Sequence, residues 1–279
     1  METDLVLLYK DYFKDSQQHS LEAERYFFSA VTKNLTFINR FFIVMPDDEQ
    51  LPSWLDTTGI IIVRYSDFIP DNTLYIDLLT VRLFLHNIAE LSEHFIVATQ
   101  DIFAVKSLSE ADFFMNDKPM ISFIPTHVQD PQNKAGKIYW QQNLYFYKKF
   151  INKDAKTTIK RVPQTFMPYT KTAIQTFWTE YSKEILASLK DGPNASNWTE
   201  CALLYWALKN NYIIDNPEAL AEGRFMCLDK WFGILNYDLE HNNKRKVVYL
   251  VGSASYAVES LVPNTKAMLS NILDKYIGL

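Results

Sequence analysis

Four short apolar runs, set between segments of helical character, constrain this chain more than any other feature of its 279 residues. They are Leu5-Val6-Leu7-Leu8-Tyr9, Phe41-Phe42-Ile43-Val44-Met45, Ile60-Ile61-Ile62-Val63-Arg64-Tyr65 and Phe95-Ile96-Val97-Ala98. Such runs are too short for helices and too continuous for strands with one wet face, so they suit strands buried on both sides. Between the first two, Ser20 precedes a helical stretch over about residues 21–33. Glu22 and Glu24 fall in its first turn, where the helix dipole favours acids. Gly59 opens the third run. After it, a helix over about residues 75–91 is expected, with Ile76, Leu79, Leu83 and Ile88 on its buried face. The alternation predicts an α/β fold on a mostly parallel sheet with crossover helices.

The second half reads as more helical. Helices are expected over residues 139–152, 170–189, 199–210 and 265–277, with a late strand over 246–251. The polar stretch 125–137 carries Pro and Gly and reads as a mobile loop. No repeat and no long linker divides the chain. A single domain over 1–279 is therefore expected, and its 48% hydrophobic content can fill a large core.

Several function classes are disfavoured. With a net charge of −5 and a pI near 5.6, the chain advertises no basic face for nucleic acid. The run Lys244-Arg245-Lys246 reads as a turn before a strand. Cys201 and Cys227 sit among apolar neighbours and read as buried thiols. The acidic start Met1-Glu2-Thr3-Asp4 is unlike a signal peptide, and no run of about 18 apolar residues suggests a membrane span. The sequons at Asn34, Asn194 and Asn197 are read as chance matches, and a cytoplasmic chain is expected. His86 and His94 lack a third ligand, and His19 and His241 read as surface residues. No zinc site follows. The seven glycines form neither a dinucleotide nor a P-loop fingerprint, and there is no G-x-S-x-G elbow.

In open α/β sheets, ligands bind beyond the carboxyl ends of the strands. Here those ends bring Tyr9-Lys10-Asp11, Asp47-Asp48, Asp67 and Gln100-Asp101 toward one rim. Solvated loop acids explain such a cluster as readily as a site does. Asp101 is the sharpest candidate, because a buried strand delivers it. It is either a turn cap or a ligand for Mg²⁺ or Mn²⁺ bridging two phosphates. Thr199 is placed as an N-cap, which puts Glu200 in a first helical turn. There it is either a dipole-favoured acid or a base facing a cleft. His127, in the expected loop, is the best placed histidine for function.

The segment 43–55, Ile-Val-Met-Pro-Asp-Asp-Glu-Gln-Leu-Pro-Ser-Trp-Leu, resembles the "I-V-T-D-x-Q-x-P-x-W-L" segment of the Stealth-type capsular polysaccharide transferases. Leu91-Ser92-Glu93-His94-Phe95-Ile96, then Gln100-Asp101-Ile102-Phe103 and Asp112-Phe113-Phe114, are similar to that family's "L-S-E-x-F-I-Y-x-N-D-D-x-F … D-F-F". The likeness covers about residues 21–115. The pattern Thr199-Glu200 with Leu204-Tyr205 is similar to a "T-E-x-x-x-Y" motif of bacterial GT-A glycosyltransferases. Departures are visible. The family's first motif is represented by Tyr9 with Asp11 or Asp15, one acid is replaced at Gln100, and a His-x-Pro motif stands as Phe166-Met167-Pro168.

The resemblance implies a GT-A-like (Rossmann-like) α/β/α sandwich with a helical C-terminal half. Residues 1–115 would be the nucleotide-sugar-binding half and 116–279 the acceptor side. It implies a transferase of bacterial surface polysaccharide or glycolipid synthesis. Plain glycosyl transfer is the main expectation. Stealth-type sugar-1-phosphate transfer and a non-catalytic binding protein on a decayed fold are the alternatives. Asp101 and Glu200 would be catalytic, with Asp101 on Mn²⁺ or Mg²⁺. Tyr9, Lys10, Asp11, Asp47, Asp67, Arg82 and Gln100 would hold the donor, with Asp11 or Asp67 on the nucleoside. His127, Trp140 and Trp198 would hold a glycan or lipid-linked glycan acceptor, and Tyr139 is a further candidate for stacking on a sugar. Peripheral association with the inner membrane face and homodimerisation are left open.

Overall fold

The computed structural model describes residues 2–10, 23–71, 73, 76–127, 134–156, 158–163, 165–190, 192, 194, 196–217, 219, 224–225, 241, 246–250 and 265–278. In chain order its strands are β1 Thr3–Leu8, β2 Phe41–Met45, β3 Ile60–Arg64, β4 His94–Thr99, β5 Ile102–Ala104, β6 Phe114–Met115, β7 Lys118–Ile121, β8 Ile124–His127, β9 Thr158–Arg161, β10 Met167–Thr170, β11 Ile214–Asp215, β12 Arg224–Phe225 and β13 Val247–Leu250. Its helices are α1 Ala23–Asn34, α2 Tyr65–Phe68, α3 Lys134–Phe150, α4 Lys171–Ser188, α5 Glu200–Lys209 and α6 Thr265–Tyr276. Two short 3₁₀ turns, Val81–Asn87 and Glu110–Asp112, complete the set.

The central sheet runs in the order β10-β4-β1-β2-β3. All four expected strands are present and pair in parallel. Every residue of β1 is buried, as its continuous apolar run requires. The two-residue period then divides the core. Val6, Leu8, Phe42, Val44, Phe95 and Val97 face one layer, with Phe84, Phe146, Phe177, Tyr205 and Trp206. Leu5, Leu7, Ile43, Met45, Ile96 and Ala98 face the other, with Phe27, Phe103, Val247 and Leu273. This is the expected α/β/α arrangement. β10 comes from the second half of the sequence and lies antiparallel against β4, with Met167 opposite Val97 and Pro168 opposite Ile96. It closes the sheet edge, where Pro is tolerated.

Two expectations need correction. The helix over 75–91 is a seven-residue 3₁₀ turn, Val81–Asn87. The Asp77 carboxylate accepts from the backbone N–H groups of Leu79 and Thr80, at 2.9 and 2.8 Å, and so caps the chain just ahead of the turn. The stretch expected to be a loop over 125–137 holds regular structure at both ends: β8 ends at His127, and α3 begins at Lys134. Asp11, Asp15, His19, Tyr75, Cys227, Lys244 and Arg245 lie outside the described residues, as does the side chain of His127.

A polar clamp fixes the opposite rim. Asp4 is fully buried and accepts from Arg40 Nε at 3.2 Å and Nη2 at 2.9 Å, and from Ser92 N at 2.8 Å. Asn34 is buried and donates to Ala104 O at 2.7 Å, and buried Asn197 donates to Gly192 O at 2.7 Å. Both amides serve the fold, so their sequons are not surface acceptors. Cys201 is a buried free thiol, as expected, and burial pushes its pKa up. No helix among the described residues is long and apolar enough to cross a membrane.

Candidate active site

Strands β2 and β3 lead away from β1 on one side, and β4 flanks it on the other. The order therefore reverses between β1 and β4, and the crevice beyond their carboxyl ends is the topological switch point. The register aligns Leu8 with Thr99 there. Immediately beyond, the buried Gln100 amide straddles Lys10: its Nε2 donates to Lys10 O at 2.5 Å, and its Oε1 accepts from Lys10 N at 3.3 Å. Gln100 thus ties the two strand ends together, a role a carboxylate with no donor of its own could fill only in part.

Asp101 follows in the turn between β4 and β5 and is half-buried. Thr99 Oγ1 donates to its Oδ1 at 2.5 Å. Burial raises the Asp101 pKa. The Thr99 hydroxyl, a backbone hydrogen bond and the Arg82 charge act to lower it. Asp101 therefore stands at the rim, on a rigid strand end, as the sequence predicts.

Arg82 and Glu200 form the second part. Arg82 is carried by the 3₁₀ turn and Glu200 opens α5; both are buried. Arg82 Nη1 pairs with Glu200 Oε1, and the Tyr169 hydroxyl donates to the same oxygen. Burial works to lower the Arg82 pKa, but the Glu200 charge and Tyr169 outweigh it, and the guanidinium stays charged. The Glu200 backbone N–H donates to Leu79 O at 3.0 Å, which docks α5 onto the turn. Thr199 occupies the N-cap position, but its side chain makes no capping bond, a correction to the expected cap. Glu200 itself is buried, and its carboxylate already receives a guanidinium and a hydroxyl.

The other candidates disperse. Tyr9 is buried beneath the rim and Lys10 is exposed on it. Asp47 and Asp67 are exposed at the ends of β2 and β3. Asp47 accepts from Ser66 Oγ, and Asp67 accepts from Arg64 N at 2.6 Å. These two match the solvated-acid reading in burial, whereas Asp101 and Glu200 do not. Trp140 is half-buried in α3, with Arg161 over its ring at 6.0 Å. Trp198 is corrected: it is 5% exposed and packed among Phe146, Phe150, Phe177 and Tyr181, with Lys149 Nζ 4.5 Å from its ring centre. No open ring face remains there for a sugar. Tyr139 donates its hydroxyl to Val162 O at 2.9 Å and so serves the core. Sequence reasoning missed Tyr169 and Thr99. Tyr169 acquires its partner Glu200 only through the fold, whereas Thr99 meets Asp101 two positions on, within the strand-end turn.

Among the described residues no group of three His, Cys, Asp or Glu side chains could cage a metal. One half-buried carboxylate beside a hydroxyl suits instead a divalent cation held chiefly by substrate phosphates and water.

Residues 17–121 match the family described as Stealth protein CR2, conserved region 2. The capsular polysaccharide phosphotransferase eps5J of Streptococcus thermophilus is 29% identical over 133 residues, 47% of this chain and 55% of that one. The capsular polysaccharide phosphotransferase cps1A of Actinobacillus pleuropneumoniae is 28% identical over 174 residues, 60% of this chain and 47% of that one. The chain spans about half the length of the curated relatives it matches. Among solved structures, the galactosyltransferase LgtC with donor and acceptor sugar analogs superposes with a TM-score of 0.52 at 11% identity, covering 99% of this chain and 97% of that one. At that identity the likeness speaks for the fold alone, and the fold is the expected GT-A type.

Proposed function

We propose that this chain is a transferase of bacterial surface polysaccharide synthesis that uses a nucleotide-sugar donor. The observation that carries the reading is a coincidence of place. The segment matching Stealth conserved region 2 supplies β2, β3, β4 and the Gln100-Asp101 turn, and so builds the rim at the switch point of the sheet. On this reading the diphosphate lies over Gln100 and Asp101, with Arg82 as the nearby fixed positive charge. Asp11 or Asp67 meets the nucleoside, and Tyr9, Lys10 and Asp47 border it. A glycan or lipid-linked glycan enters from the side of His127 and Trp140. Mg²⁺ or Mn²⁺ bound with the donor at Asp101 would neutralise charge on the departing phosphate.

Two bonds in such a donor are open to attack by an acceptor hydroxyl. Attack on the sugar-bearing phosphorus breaks the P–O–P link and releases a nucleoside monophosphate. Attack on the anomeric carbon breaks the C–O bond and releases a nucleoside diphosphate. The names of the relatives favour the first. The weak match to the family's first motif, represented only by Tyr9 with Asp11 or Asp15, favours the second. Product analysis with a panel of nucleotide sugars decides between them. Turnover that Asp101→Asn abolishes while the fold survives supports the site. If wild-type protein neither binds nor consumes any donor with Mn²⁺ present, the transferase reading fails.

A further inference from the structure

Residues 134–161 hold seven lysines and one arginine against a single acid, Asp154, in a chain whose net charge is −5. A surplus of seven positive charges is thus gathered into one tenth of an acidic protein. The fold brings part of it to the surface. On α3 the residues Gln141, Tyr145, Lys148 and Lys149 are exposed and follow helical spacing on one face. Lys153 and Lys156 are exposed in the connection to β9 that follows directly. Among the described residues, Lys148, Lys153 and Lys156 make no ion pair. Lys149 lies over Trp198, which leaves its ammonium at the surface. Tyr145 is 45% exposed, a large ring left outside an otherwise well-filled core.

Unneutralised lysines beside an exposed tyrosine are the chemistry of a membrane–water interface. The ammonium groups meet anionic headgroups, and the phenol settles at headgroup depth. We propose that the last turns of α3 and the connection to β9 form a docking surface for an anionic phospholipid bilayer. An acidic protein can approach such a bilayer by turning a segregated basic face toward it. The binding itself does not depend on which donor bond is broken, or on whether any is.

The test is co-sedimentation with vesicles of phosphatidylcholine alone and with about one third phosphatidylglycerol, without donor. Binding to the anionic vesicles only, lost in about 0.5 M salt, where charges are screened within a few ångströms, supports the proposal. The triple substitution Lys148→Glu, Lys153→Glu, Lys156→Glu should weaken binding on the order of 100-fold or more. Its binding of soluble nucleotide, and its melting temperature, should be unchanged. The Lys→Gln version of the same triple should fall between. Equal binding to neutral vesicles, no binding to either kind, or undiminished binding by the triple variant overturns it. So does retention on a soluble polyanion such as heparin without vesicle binding, which would assign the patch to a polymer. Failure of donor binding in the wild type would sink the transferase reading and leave the vesicle result standing.

Discussion

Asp101 ionises against its surroundings, because burial raises its pKa and the Thr99 hydroxyl and Arg82 charge act to offset that. A raised carboxyl pKa means the folded state favours the proton. The stability this confers is present below the unfolded value near 3.9 and is lost as pH rises through the folded value. At pH 7 the ionised side chain therefore burdens the fold, and Asp101→Asn removes the burden. The variant should melt at or above the wild-type temperature at pH 7 while losing donor binding, and the two melting curves should converge near pH 4. A clear loss of stability at pH 7 would show that the carboxylate serves structure. Arg82 and Glu200 behave oppositely. Arg82→Met leaves Glu200 buried with only the Tyr169 hydroxyl, and breaking such a pair costs about 3–5 kcal/mol. Urea unfolding measures it, and adding Glu200→Gln to the same chain should recover much of the loss. A cost below about 1 kcal/mol for the single change would contradict the buried pairing. Gln100 and Asp101 were legible because they stand where an apolar run stops, and Glu200 because it opens one, and the end of a run can be read in one dimension. Tyr169 was not, since its hydroxyl reaches Glu200 across 31 positions.

β1, β2 and β4 were legible as elements because burial on both faces leaves an unbroken apolar word. β3, at the sheet edge, carries an equally apolar run with Ile62 41% exposed, a correction to its expected burial on both sides. β10 was not legible. Met-Pro-Tyr-Thr is short and contains Pro, and only its place beside β4 makes it a strand. The turn Val81–Asn87 misled for a different reason. Its apolar residues recur at helical spacing, but Val81 through Leu85 are buried all round, so no amphipathic face existed to be read. His86 belongs to this turn, with its ring 5.6 Å from that of Trp178. Burial, together with the nearby Lys171 charge, depresses its pKa to about 4, against a backbone hydrogen bond that raises it. For a depressed histidine the unfolded chain takes the proton more readily. Stability is then whole above pH 6.5 and declines as pH falls toward 4. Allowing for the ring's partial exposure, the decline should reach about 1–2 kcal/mol. His86→Leu should flatten that part of the stability profile in urea titrations between pH 7 and 4. An unchanged slope would place the acid sensitivity elsewhere.

Across the whole molecule, the two halves of the sequence share one sheet and both core layers. β10 borders β4 and β13 borders β5, while α3, α4 and α5 cover one face of the central strands. The rim is therefore fixed from both sides. Gln100 joins β1 to β4, Arg82 is held by a helix from the second half, and Arg40 with Asp4 secures the far edge. Such a frame binds as a nearly rigid body, so ligand affinity should appear directly as added stability. A donor at about 100 times its dissociation constant adds roughly 2.7 kcal/mol. For a chain of this size that is about 5–10 °C in melting temperature. The gain should appear with a nucleotide sugar plus Mn²⁺, shrink when the metal is chelated, and vanish in Asp101→Asn. It should persist in the Lys148, Lys153, Lys156 triple variant, whose substitutions lie at the end of α3 and in the connection to β9. A shift of equal size in Asp101→Asn would mean the donor rests elsewhere than on this rim, and the placement of the phosphates at the β1–β4 crevice would have to be abandoned.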